Sequence, residues 1–230
     1  MSGPAKTTLI RTPVHAIRER TDTSLERSGP KRTMGNRRHL LLAPAVTLPY
    51  FQKMRAALEL ESLVVMAALD APHQLVRTTQ SQLRQAGPFQ RIECVLEWHD
   101  MEAVTCRETW ETYEKKLLEQ TGVRPCLLRC YPVFEIWLWL HFAPLDAICT
   151  DATRIRQQVN DWLTTLPPAD LYTQTAPLLP AAITRAQELT RHHLATTPDS
   201  RWQDTPGTQL HELVLFWYKL ARKKFTGQDS

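Results

Sequence analysis

The sequence predicts an α/β fold: a four-stranded, mostly parallel sheet followed by a helical C-terminal region. Three observations carry this. Four short apolar runs, HLLLAPAV (39–46), ESLVVMAAL (61–69), RIECVLEW (91–98) and VRPCLLRCY (123–131), have the length and texture of buried strands. The segments between them show helical spacing, and strands alternating with helices of this length build a parallel sheet covered on both faces. After residue 142 the strand signal stops, and three helical patterns follow.

Each element has a local reason. Pro49 suits the first position of a helix whose apolar residues Phe51, Met54, Ala57 and Leu58 share one side. Pro72 opens a helix through about Gln85, stopped by Gly87-Pro88. WETYEKKLLEQ (110–120) is a charged amphipathic helix that ends before Gly122. Pro132 then stands at the first helical position of PVFEIWLWLHF, a helix apolar on every side and therefore expected to be buried. Beyond it come DATRIRQQVNDWLTTL, LLPAAITRAQELTRHHL and GTQLHELVLFWYKLARKKF, separated by proline-rich joints. The last places Leu210, Leu213, Val214, Trp217 and Leu220 on one face, with Arg222, Lys223 and Lys224 at its negative end.

The charge is uneven. Residues 1–38 hold nine Lys/Arg against three acids, a net +6, so the rest of a chain of net +4 carries about −2. This Thr-, Ser-, Pro- and Arg-rich leader has no sustained apolar period and reads as a disordered basic segment. It is either a solvated extension or an arm for nucleic-acid phosphates, with Arg27, Lys31, Arg32, Arg37 and Arg38 in its densest part. The expected divisions are the leader (1–38), an α/β domain (39–142) and a helical region (143–230). No apolar run is long enough to span a bilayer, and the N-terminus lacks the apolar stretch of a secretory signal, so a cytoplasmic protein is expected. Five cysteines without a CxxC pair read as buried thiols in a reducing compartment. Seven glycines, none clustered, exclude a phosphate loop or a dinucleotide fingerprint.

In parallel sheets, sites form at the carboxyl ends of the strands. There the chain places Glu97, His99, Asp100 and Glu102 after the third strand, and Glu135 after the fourth. Glu97 and Asp100 are candidate ligands for one divalent cation, or members of a solvated loop. Glu135 is a carboxylate in an apolar helix, and burial is costly unless a backbone amide, a lysine, an arginine or a metal compensates it. His141 is a candidate site residue or a core-edge histidine bonded to backbone. Thr208 and His211 lie one turn apart at the start of the last helix, where Thr208 also suits an N-cap.

These residues carry a resemblance. YPVFEIWLWLHF (131–142) resembles the N-P-x-F-E-x-W-L-x-x-H-F signature of RloB-like proteins, a bacterial family that includes the abortive-infection Lii proteins. KRTMGNRRHLLLA is similar to its basic lead into the first strand, and TLPYF stands where the family has T-E-x-x-Y-F. AITRAQEL (182–189) and TQLHELV (208–214) resemble its later A-I-x-x-A-x-x-L and T-x-x-H-x-L-V blocks. The resemblance covers about residues 31–216.

It implies a Toprim-like (Rossmann-like) fold, in which a glutamate after the first strand and a D-x-D after the third bind Mg²⁺ for phosphoryl chemistry. It also implies a companion ATPase and a role in defence against phage. The matching positions here are Glu135, His141, Thr208 and His211 as catalytic candidates, with Glu97 and Asp100 as metal candidates. Three positions depart: no glutamate lies between His39 and Phe51, the D-x-D region reads LEWHD, and the lysine of a Y-x-K stretch is Gln174. The expected function is therefore a nucleic-acid- or partner-binding subunit with weakened or lost catalysis. An active metal-dependent nuclease subunit working with an ATPase, and a nucleotide-binding module, are the alternatives.

Overall fold

The structure is a computed structural model. It describes residues 38–68, 79–81, 84, 88–97, 103–145, 150–167, 169–196 and 206–226. The leader apart from Arg38, the greater part of the helix expected from Pro72, and His99, Asp100 and Glu102 lie outside the described residues.

Strands β1 (Arg38–Pro44), β2 (Leu63–Ala68), β3 (Phe89–Glu97) and β4 (Cys126–Tyr131) are parallel, in the order β2-β1-β3-β4. A fifth strand, β5 (Gly207–Thr208), adds antiparallel to the β4 edge. Two residues are too few to leave an alternating pattern, so Thr208, expected on the last helix, belongs to the sheet edge instead. The helices are α1 (Leu48–Ala57), α2 (Ala103–Thr121), α3 (Glu135–Phe142), α4 (Ala152–Thr164), α5 (Leu171–Thr175), α6 (Leu179–Thr196) and α7 (Leu210–Thr226). The helix expected over 110–120 thus begins seven residues earlier. It ends at Gly122, whose φ of 69° is the left-handed value a glycine adopts without strain.

Strand pleating sorts the core. Leu40, Leu42, Ile92 and Cys94 face one side, where Trp110 of α2 packs on them. Leu41, Ala43, Val95 and Leu128 face the other, joining α1 and α3 through α7 in one continuous apolar cluster. The helical region therefore covers one face of the sheet. The stripe expected on the last helix is there, with Leu210, Leu213, Val214 and Trp217 all at 0% exposure.

Helix α3 is buried on two sides. Trp137 and Leu140 enter the main cluster, and Ile136 packs with Val133 and Ile155 of α4. Each such side chain removed from water contributes roughly 1.5–3 kcal/mol. Pro132 does not open this helix: the Tyr131–Pro132 peptide is cis, and helical geometry begins at Glu135. Ala182 and Ala186, small and fully buried on α6, let that helix come close to α3. Arg185 between them donates from Nη1 to the carbonyls of Leu140 (2.8 Å) and His141 (3.0 Å), the acceptors left open at the end of α3. Arg185→Met should keep the aliphatic stem but orphan these carbonyls. Chemical denaturation should show a loss of about 1–3 kcal/mol.

Candidate functional site

The carboxyl ends of β3 and β4 bring the acids together. Glu97 is the last residue of β3 and Glu135 the first of α3. Glu97 Oε1 accepts the Phe134 amide at 3.2 Å, satisfying one of the N–H groups that a helix start leaves open. Two carboxylates therefore lie at the positive end of α3, where negative charge is favoured.

A third element supplies the cation. Helix α4 starts at an Asp151 cap, whose carboxylate accepts the amides of Thr153 (2.9 Å) and Arg154 (3.1 Å). Its buried Ile155 and Val159 set its rotation. Arg156 then projects between the two acids, with Nε 3.5 Å from Glu135 Oε1 and Nη2 3.9 Å from Glu97 Oε2. Arg156 is 46% exposed, against 27% for Glu135 and 13% for Glu97. Glu135 Oε2 is buried and accepts no hydrogen bond.

Beside the pair, Cys130 Sγ lies 3.2 Å from Thr208 Oγ1, and burial pushes this thiol up to about 12, leaving it protonated and inert. Thr208 Oγ1 also accepts the Leu210 amide at 3.1 Å, and so caps the start of α7. His211 is buried one turn on. Its ring hydrogen-bonds the Thr208 backbone while Nδ1 has no partner, and burial lowers its pKa. His141 stands six residues after Glu135, about 9 Å along the helix axis and so at the other end of α3. It is 1% exposed, with Nδ1 2.9 Å from the Trp137 carbonyl and Nε2 without a partner. Gln174 donates from Nε2 to the Pro167 carbonyl.

The sheet end thus gathers Glu97, Glu135 and Thr208, with His211 adjacent and His141 apart. Arg156 and Cys130 complete the group and were not singled out in the sequence. Arg156 sits in a helix already rich in polar residues, where no spacing marks one arginine over another. The carboxyl end of β1 provides no acid, and Val46 there is 80% exposed.

The described residues do not fit Mg²⁺. That ion needs near-octahedral oxygen ligation. Here two carboxylates face a guanidinium, the nearest further groups are a hydroxyl and a thiol, and no group of three or more His, Cys, Asp or Glu among the described residues is arranged to hold a metal.

A second polar cluster lies lower on the same sheet face. Glu93, at 0% exposure, accepts from Arg91 Nε at 2.7 Å and from Trp217 Nε1 at 3.5 Å. Arg91 also stacks on Phe216, 4.1 Å from the ring centre. Burial raises the Glu93 pKa, and Arg91 opposes that shift. Four residues separate Glu93 from Glu97, about 13 Å along the strand, so the two clusters are distinct.

A parallel sheet sandwiched by helices, with a carboxylate pair where two adjacent strands end, defines a Rossmann-like α/β protein. The family model for the RloB-like protein matches residues 48–216, most of the chain, and the chain belongs to that family. No curated protein and no solved structure gives a significant match. No helix among the described residues is long and apolar enough to cross a membrane.

The buried histidines tie stability to pH. Burial lowers the His141 pKa from 6.5 to about 4, so the folded state resists a proton that the unfolded chain accepts. Stability from this group is complete above pH 6.5 and is lost as the pH falls towards 4. His39, His193 and His211 shift in the same direction. Denaturation midpoints of wild type should therefore fall between pH 6.5 and 4. His141→Gln, which retains a donor for the Trp137 carbonyl, should remove on the order of 3 kcal/mol of that loss.

Proposed function

We propose that this chain is a binding subunit of a bacterial anti-phage system, a Toprim-like protein that engages nucleic acid without cutting it. The observation that supports this is Arg156 between Glu97 and Glu135. In Toprim-type chemistry, paired carboxylates carry a divalent ion that stabilises charge on phosphoryl oxygens. A guanidinium between them neutralises the pair and leaves no acid free to hold that ion. Binding then rests on the basic leader, whose net +6 contrasts with a slightly acidic remainder. A companion ATPase is the protein partner that this role calls for.

The second reading is an active metal-dependent nuclease subunit. It is favoured by one feature, the buried Glu135 Oε2 without a partner.

One experiment separates them. The purified chain is mixed with labelled single- and double-stranded DNA and RNA, with chelator, Mg²⁺ or Mn²⁺. Binding without cleavage in every condition is expected. Exchanging Arg27, Lys31, Arg32, Arg37 and Arg38 together for glutamine should weaken binding to all sequences. It should flatten log K against log salt by roughly 0.7–0.9 for each phosphate that the variant no longer neutralises. Glu135→Gln should leave binding intact and cost below about 1 kcal/mol, because its ion pair is partly exposed. Metal-dependent cleavage by wild type, abolished in Glu135→Gln, would establish the nuclease instead.

A further inference from the structure

We propose that Arg156 is a tethered counter-cation, closing the Glu97–Glu135 pair so that the site needs no free ion to hold its shape. This deepens the reading of the site as non-catalytic, and rests on it. Nε approaches one carboxylate and Nη2 the other, so the guanidinium bridges the acids instead of forking onto either one. Three elements meet through it: the end of β3, the start of α3 and the first turns of α4. An arginine suits the task because it stays charged at every physiological pH and its nitrogens diverge in a fixed plane.

The neighbouring cations have other work. Arg185 is bonded to the α3 carbonyls, and Lys53 is paired with Asp170 at 3.3 Å. Without Arg156, two carboxylates would face each other across the helix start, compensated by the Phe134 amide and the partial positive charge of α3. Like charges so placed disfavour each other's ionisation, and a small dication would relieve them as the guanidinium does. The cation requirement would then move from the chain to the solution.

The test compares wild type, Arg156→Lys and Arg156→Gln in thermal denaturation, in chelator, in Mg²⁺ or Mn²⁺, and in NaCl of matched ionic strength. Wild type and Arg156→Lys should melt alike with and without divalent ions, since lysine retains the tethered charge. Arg156→Gln should melt about 2–4 °C lower in chelator and recover with Mg²⁺ or Mn²⁺ but not with NaCl. If Arg156→Gln fails to fold, the triple variant Glu97→Gln, Glu135→Gln, Arg156→Gln should restore folding by removing the repulsion. A triple variant that also fails overturns the proposal. So does a divalent response in wild type, or an Arg156→Gln protein that melts identically in all three media. An indifferent Arg156→Gln beside a wild type that binds and does not cut would sink the counter-cation and spare the binding role; cleavage by wild type would sink the binding role itself.

Discussion

The burial of α3 is the constraint on which the rest of the structure depends. Eight residues with Ile136, Trp137, Leu138 and Leu140 all out of water need covering on every side, and no single neighbour can do that. The sheet and α7 take one side, α4 another, and α6 approaches closely through Ala182 and Ala186. Enclosing a short helix in apolar surroundings also encloses its ends, where backbone donors and acceptors have no intrahelical partners. Glu97 answers at the start and Arg185 at the end, each reaching in from a different element.

The candidate site follows from that need. Carboxylates are favoured at the α3 start by the amide donors and the helix dipole, and two of them there require a cation. In this chain the cation is covalent. Arg156 comes from α4, the helix that covers the Ile136 side of α3, so one packing contact both buries the helix and neutralises its acids. The histidines nearby serve packing: His141 and His211 are buried and neutral at physiological pH, with lowered pKa values. The thiol of Cys130 is held protonated by burial.

Much of this was legible in one dimension. The four apolar runs became the four parallel strands because Val, Leu and Ile at that length have no other stable disposition beside amphipathic helices. The stripe on α7 became a buried face. Glu135 was recognisable as a carboxylate in need of a partner, and arginine was among the groups able to supply one. Less legible was β5, whose two residues carry no period, and with it the place of Thr208, which joins the sheet edge while its hydroxyl caps α7. The start of α3 was displaced as well, since proline at a helix entrance and proline in a cis turn before one share a sequence signature.

The sequence by itself determined the elements, the order in which they alternate, the apolar helix that had to be buried and the acids at the ends of the third and fourth strands. Those properties are written in local periodicity and residue type, which act over a few positions. Only the tertiary structure decided which cation meets those acids. Twenty-one positions separate Glu135 from Arg156, and fifty-nine separate Glu97 from it. Nothing local distinguishes Arg156 from Arg154 two places before it; the rotation that α4 adopts when Ile155 and Val159 turn inward does. An ion pair of that separation is a product of packing, because charge acts through space and the chain brings these groups together only once α3 has been enclosed.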